Sequence, residues 1–191
     1  MRKVIVSEYV SLDGVMEDPG GAEKFEHGGW TIPYWNDEIA KFKFDELFAS
    51  DALLLGRVTY QGFAAAWPSM TDEAGFADRM NSLPKYVVST TLEEPLAWNN
   101  SRLIKGNIAE EVARLKQESG QDVLVFGSGT LAQTLHQYNL IDQYNLLVYP
   151  VVLGSGKRLF GDRSNVALKL VETKTFSSGV VLLAYRSAQP E

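Results

Sequence analysis

The chain has 191 residues, 45% of them hydrophobic, a formal net charge of −6 and no cysteine. That length supports a single domain, residues 1–191, with a full core. The negative charge argues against a general nucleic-acid surface and against an anionic membrane surface, and the lack of cysteine excludes disulfides and thiolate metal sites.

Lys3 to Val10 reads as a strand rich in β-branched residues. It turns polar at Ser7-Glu8, too early for the apolar core of a signal peptide. No apolar run approaches the ~20 residues of a membrane span. The expectation is a soluble cytoplasmic protein. A long glycine-rich segment follows, from Asp13 to Trp35, of the kind that forms binding loops or lids. Asn36 to Phe48 has helical spacing, with Asn36 or Asp37 as its cap. Ala52 to Leu55 is a buried strand, Thr59 to Ala66 a helix stopped by Pro68, and Asp72 to Asn81 a further helix. Strands are predicted at Lys85 to Ser89 and Arg102 to Lys105, and a helix from Ile108 to Glu118 that Gly120 ends. Asp122 to Phe126 is a strand, Leu131 to Tyr138 a helix and Tyr144 to Val152 a long apolar strand. Leu168 to Phe176 and Val180 to Tyr185, around Ser177-Ser178-Gly179, read as a β-hairpin. Alternating β and α ending in an antiparallel pair defines an α/β domain with no internal repeat.

Three turns at predicted strand ends carry the functional signal. They are Gly56-Arg57-Val58-Thr59-Tyr60, Ser89-Thr90-Thr91 and Gly127-Ser128-Gly129-Thr130-Leu131. Glycine lets backbone approach a ligand, helix N-termini offer free N–H groups to phosphate, and hydroxyls with one arginine add donors. An ordinary strand–helix turn would explain any one of them, and Thr59 or Thr130 could be simple N-caps. Three together suggest a ligand with several phosphates, such as a dinucleotide. Other motifs fail. Val125-Phe126-Gly127-Ser128-Gly129 lacks the first glycine of a nucleophile elbow. Gly154-Ser155-Gly156-Lys157 has Val151 where a P-loop needs glycine, and Arg158 where it needs Ser or Thr. No G-x-G-x-x-G follows the first strand, and His27 and His136 alone make a zinc site improbable.

Together these residues resemble the dihydrofolate-reductase-like superfamily. The nearer branch is similar to the C-terminal reductase domain of the bifunctional deaminase–reductase of riboflavin biosynthesis, in a stand-alone form. The carrying motifs are Ser11-Leu12-Asp13-Gly14, Gly56-Arg57-Val58-Thr59-Tyr60, Gly127 to Leu131 and Pro150-Val151-Val152-Leu153-Gly154. The resemblance implies a three-layer α/β/α fold with a mostly parallel sheet of eight or nine strands, and an NADPH-dependent reductase. Gly56, Arg57, Val58 and Thr59 would then hold cofactor phosphates, Ser89 and Thr90 would face the 2′-phosphate, and Gly127, Ser128, Gly129, Thr130 and Leu131 would hold the pyrophosphate. Arginine and hydroxyls are also what the chemistry of a 2′-phosphate asks for. Two departures stand out. The zinc deaminase motifs are absent, so base deamination is not expected. Ser128 replaces a family glycine, so a strained or cis peptide at Gly127–Ser128 would be costly.

Hydride transfer needs a nearby proton source. Asp37 opens the first predicted helix, close to where dihydrofolate reductases place their substrate carboxylate. It is the leading catalytic candidate; capping is the competing role, and Glu38 and Asp13 are weaker alternatives. Trp30 and Trp35 could wall a flat heterocycle, with Asp13 as a substrate contact, or could serve the core or a dimer. The expected substrate is a pterin-, pyrimidine- or ribosylaminopyrimidine-type heterocycle. Dihydrofolate reductase activity and non-catalytic nucleotide binding are the alternatives. Relatives in the riboflavin branch form homodimers, and the apolar Tyr144 to Val152 strand with Val180 to Tyr185 offers a surface for one unless the chain's own helices cover it.

Overall fold

The computed structural model describes residues 1–161 and 164–188. Among these, eight strands form one sheet: β1 (Val4–Ser11), β2 (Ser50–Gly56), β3 (Lys85–Val88), β4 (Ser101–Ile104), β5 (Asp122–Phe126), β6 (Gln143–Tyr149), β7 (Leu168–Thr175) and β8 (Val181–Ser187). Their order is β4-β3-β2-β5-β1-β6-β8-β7. The first six run parallel, and β8 and β7 add as an antiparallel hairpin.

Five α-helices cover the sheet: α1 (Asp37–Phe48), α2 (Arg57–Ala66), α3 (Phe76–Ser82), α4 (Ile108–Gln117) and α5 (Gly129–Gln137). Alternation along the strands divides the core. Val4, Val6, Leu54, Val123 and Val125 face α4 and α5, packing on Val112, Leu115, Leu131 and Leu135. Ile5, Leu53, Leu55, Val87 and Leu124 face the opposite side, against Leu47 of α1, Tyr60 of α2 and Met80 of α3. Each such side chain fully buried contributes roughly 1.5–3 kcal/mol, and the two-sided burial explains the near-continuous apolar runs of β2 and β5.

The expected element order is present, and the boundaries differ for physical reasons. α2 and α5 each begin two residues earlier than the apolar pattern suggests, at Arg57 and Gly129. α3 is shorter than Asp72 to Asn81, because Asp72 stays outside and accepts the Phe76 and Ala77 N–H groups. β6 stops at Tyr149, before Pro150, which has no N–H to donate. The segment from Asp13 to Trp35 is pinned from within. The buried Asp18 carboxylate accepts from Glu23 and Phe25 N–H, Thr31 Oγ1 donates to Pro19 O, and Trp30 Nε1 donates to Glu17 O.

Both faces of β6 are covered by the chain itself. Tyr144 and Leu146 join the α4/α5 side, while Leu147 and Tyr149 pack with Ile39 of α1. Among the described residues, no helix is long and apolar enough to cross a membrane.

The β1–β2 connection leads one way along the sheet and the β5–β6 connection the other, so the topological switch lies between β5 and β1. Their pairing ends at Ser7↔Phe126, whereas β1 continues beside β6 to Ser11↔Tyr149. A crevice therefore opens at Glu8, at the carboxyl ends of the strands, where open α/β sheets hold ligands.

Candidate active site

Two of the three turns interlock at this crevice. Ser128 N–H donates to Thr59 Oγ1 at 2.9 Å, and Gly56 N–H donates to Ser128 Oγ at 2.9 Å, which itself donates to Phe126 O at 3.0 Å. Gly127 and Ser128 both adopt left-handed backbone, at φ 54° and 60°. A Cβ on Gly127 would stand 3.0 Å from Thr59 Oγ1, which crowds the Ser128 acceptor, and the left-handed φ there also favours glycine. The Gly127–Ser128 peptide is trans, and the turn is made by these two successive left-handed residues. The departure to serine has a structural counterpart: the Ser128 hydroxyl ties the glycine-rich turn to the end of β2.

Thr59 and Thr130 are not N-caps. Gly56 caps α2 and Ser128 caps α5, neither with a side-chain bond to the helix. Asn107, also left-handed, precedes α4 and likewise gives no side-chain cap. Three helix N-termini at the carboxyl edge of one parallel sheet thus keep first-turn N–H groups free of side-chain caps, the property that attracts anions. Arg57 and Val58 are exposed on the first turn of α2, and Arg57 Nη1 donates to Gln61 Oε1 at 3.2 Å. Gly129, Thr130 and Leu131 form the first turn of α5, with Leu131 buried beneath it and Thr130 exposed.

Ser89 and Thr90 divide their roles. The buried Ser89 hydroxyl accepts from Thr91 and Leu92 N–H, both at 3.1 Å, and so builds the turn after β3. Thr90 is exposed and lines a cavity of about 370 Å³ with Lys105, Asn107, Ile108 and Tyr138. Sequence reasoning missed Lys105, whose Nζ bonds Glu93 Oε2 at 2.7 Å. Its only signal was a cation directly after a strand.

At the other end of the crevice lies the start of α1. Asn36 is its N-cap, accepting from Ile39 N–H at 3.0 Å and donating to Ser177 Oγ at 3.0 Å. Asp37 is exposed in the first helical turn. Glu38 instead accepts Ser177 N–H, which holds its carboxyl below the usual range. Trp35 is 48% exposed and meets Tyr9 edge-on, whereas Trp30 is buried, edge-on to Tyr149. Asp13 commits its carboxylate to Ser11 Oγ and to the Leu153 and Gly154 N–H groups, which bring it down to about 2. It joins the loop after β1 to the Pro150–Gly154 segment.

Beneath Trp35 and Tyr9 lies a buried polar cluster. Lys43 Nζ donates to Ser7 Oγ and Glu46 Oε2, both at 2.7 Å, and stands 4.2 Å from the Phe126 ring centroid. Asn145 Nδ2 donates to Glu46 Oε1 at 2.8 Å. Glu8, the next residue of β1, is buried on the opposite, α5-side face, with Oε1 lacking any partner. Its sequence signal is a carboxylate inside a strand of a parallel sheet buried on both faces.

The model of the RibD C-terminal domain family matches residues 2–182. The chain belongs to that family. It is 36% identical over 188 residues to the uncharacterised Bacillus subtilis (strain 168) protein YyaP, covering 96% of this chain and 94% of the relative. A candidate riboflavin biosynthesis protein from Shewanella sp. PV-4 superposes with a TM-score of 0.76 at 24% identity, over 98% of this chain and 99% of that one. The Thermotoga maritima diaminohydroxyphosphoribosylaminopyrimidine deaminase/5-amino-6-(5-phosphoribosylamino)uracil reductase gives 0.63 at 18%, over 98% and 57%. Enterococcus faecalis dihydrofolate reductase, solved with NADP(H) and RAB-propyl, gives 0.63 at 12%, over 98% and 97%. These likenesses establish the dihydrofolate-reductase-like fold, and the family membership supports an oxidoreductase of the pyrimidine or pterin type.

Proposed function

We propose that this RibD-family chain is an NADPH-dependent reductase of a pterin-, pyrimidine- or ribosylaminopyrimidine-type substrate. The observation that carries the reading is the arrangement of three helix N-termini without side-chain caps along the carboxyl edge of one parallel sheet, two of them locked together at the crevice by Ser128 and Thr59. NADPH bound there would supply the hydride. The first turn of α5 would hold its pyrophosphate, Arg57 and Thr90 with Lys105 would hold the 2′-phosphate, and the cavity beside them would take the adenine. Cofactor-bound dihydrofolate reductase shares the fold, which favours this placement.

On the substrate side, Asp37 contacts the heterocycle or delivers the proton, and Trp35 closes over the ring. Trp30, with its indole N–H committed to Glu17 O, stiffens the wall behind. The test is loss of NADPH absorbance with 5-amino-6-(5-phosphoribosylamino)uracil and, separately, with dihydrofolate. Turnover of dihydrofolate alone would make it a dihydrofolate reductase, and NADPH binding without either turnover would make it a nucleotide-binding protein.

The working form we propose is a homodimer in the cytoplasm. Since α1 and α5 cover β6, the surface for a second copy shifts outward to β8 and β7. Val181, Leu183 and Tyr185 are only half-buried there, and Leu170 and Val171 are 47% and 46% exposed. Leu170 pairs across the strands with Tyr185, so both lie on one face of the sheet. A second copy packed on that face would remove an exposed apolar strip and protect the edge strand.

A further inference from the structure

The crevice floor holds a carboxyl group that the proposed reduction does not use. Glu8 is the first residue of β1 beyond its pairing with β5, and only 5% of it is exposed. Its Oε1 is buried without a hydrogen-bond partner. Glu8 faces the glycine-rich turn: its neighbour across the crevice is Gly127, one residue beyond the last paired position, Phe126. Directly past that turn lie the first amides of α5, which no side chain caps.

We propose that Glu8 is a positioning residue for the phosphate at the glycine-rich turn: uncharged, it leaves the α5 amides free to bind an anion; ionised, it repels that anion from below. This rests on the dinucleotide reading of the crevice. The surroundings favour the uncharged form. Burial pushes the Glu8 carboxyl well above the usual carboxylate range, Lys43 and the Gly127 amide draw it part of the way back, and Glu46 pushes it up again. Lys43 and Glu46 of α1 lie across β1 from it, on the Ser7 and Asn145 face, and pair with each other at 2.7 Å, so they act on Glu8 only through the sheet. Tyr9, its neighbour on β1, is itself held protonated by burial and by the surrounding oxygens. α5 carries no ionisable side chain before His136, in its last turn. No cation on α5 therefore screens an ionised Glu8 from a phosphate. By linkage, a phosphate in the turn holds the proton on Glu8, and binding takes up a proton wherever Glu8 is partly ionised in the free protein.

The experiment is titration of NADP⁺ into the native chain and into Glu8→Gln, followed by tryptophan fluorescence from about pH 5.5 to about 9.5. Ionisation of the 2′-phosphate is common to both proteins and cancels in their ratio. The expected result is a native affinity that falls tenfold or more relative to Glu8→Gln as pH rises, the scale for one charge within about 12 Å of a phosphate at an effective dielectric constant of about 20. A ratio independent of pH overturns the proposal. Absence of NADP⁺ binding to the native chain at every pH instead sinks the dinucleotide reading. Should Glu8→Gln fail to fold, calorimetry of the native chain at a series of pH values from about 7 to about 9.5, above the 2′-phosphate ionisation at about 6, decides the matter. Binding heats in two buffers of different ionisation enthalpy should show net proton uptake within that series, and no uptake at any of these pH values overturns the proposal.

Discussion

Thr59→Val separates the architecture of the crevice from contact with its ligand. Valine keeps the shape of threonine and removes only Oγ1, the acceptor of Ser128 N–H at 2.9 Å. That amide is part-buried, and a buried donor left unpaired costs about 1–3 kcal/mol. Partial access to water puts the expectation in the lower half, about 1–2 kcal/mol. For a domain of this size each kcal/mol moves the melting temperature by about 2–4 °C, so Tm should fall by about 2–8 °C. The Gly127–Ser128 turn would also lose its tether to α2, and NADPH affinity should fall with it. Thr130→Val is the control: its side chain is exposed in the first turn of α5, where surface changes stay within about 0.5 kcal/mol. It should leave Tm in place while weakening NADPH binding. Thermal unfolding with and without NADPH reads both variants. A Thr59→Val protein with native Tm and native NADPH affinity would refute the claim that this hydrogen bond holds the cradle together.

Four further outcomes are expected. Arg57→Ala should erode a native preference for NADPH over NADH by roughly 1–3 kcal/mol, and equal native affinity for the two cofactors would remove Arg57 and Thr90 from the 2′-phosphate. Asp37→Asn should cut turnover by ~10²-fold or more with the fold intact, since Asn36 rather than Asp37 caps α1; unchanged turnover leaves Asp37 without a chemical role. Asp13 titrates near 2 when folded, below its unfolded value of about 3.9, so its contribution to stability is present above about pH 4 and is lost as pH falls through 2. Denaturant titrations of the native chain and Asp13→Asn should therefore converge at low pH, and a constant gap would contradict the assigned hydrogen bonds. Light scattering at micromolar concentration should give a dimer that Leu170→Lys dissociates, and a native mass near 21.2 kDa at every concentration would exclude the second copy.

What the sequence made legible was whatever depends on local pattern. The apolar runs of β2 and β5 and the hairpin turn at Gly179 are local, and all appear where periodicity and turn chemistry put them. The three strand-end turns were visible for the same reason, because glycine and hydroxyl residues after an apolar run are a short-range signal. What was not legible is how distant residues share their polar atoms. Ser128 reads as a mere departure from a glycine, yet its hydroxyl bridges Gly56 N–H and Phe126 O across 72 residues of chain. Ser89 reads as a ligand contact, yet its hydroxyl is committed to two backbone amides of its own turn. Asp13 likewise spends its oxygens on residues 140 and 141 positions away. The starts of α2 and α5 were both read two residues late, because these helices begin at positions with no side-chain cap to announce them. That error carries information. Among the described residues no side chain caps those first-turn amides, and a helix start left open at the end of a parallel sheet is where the molecule reserves hydrogen bonds for something it must bind.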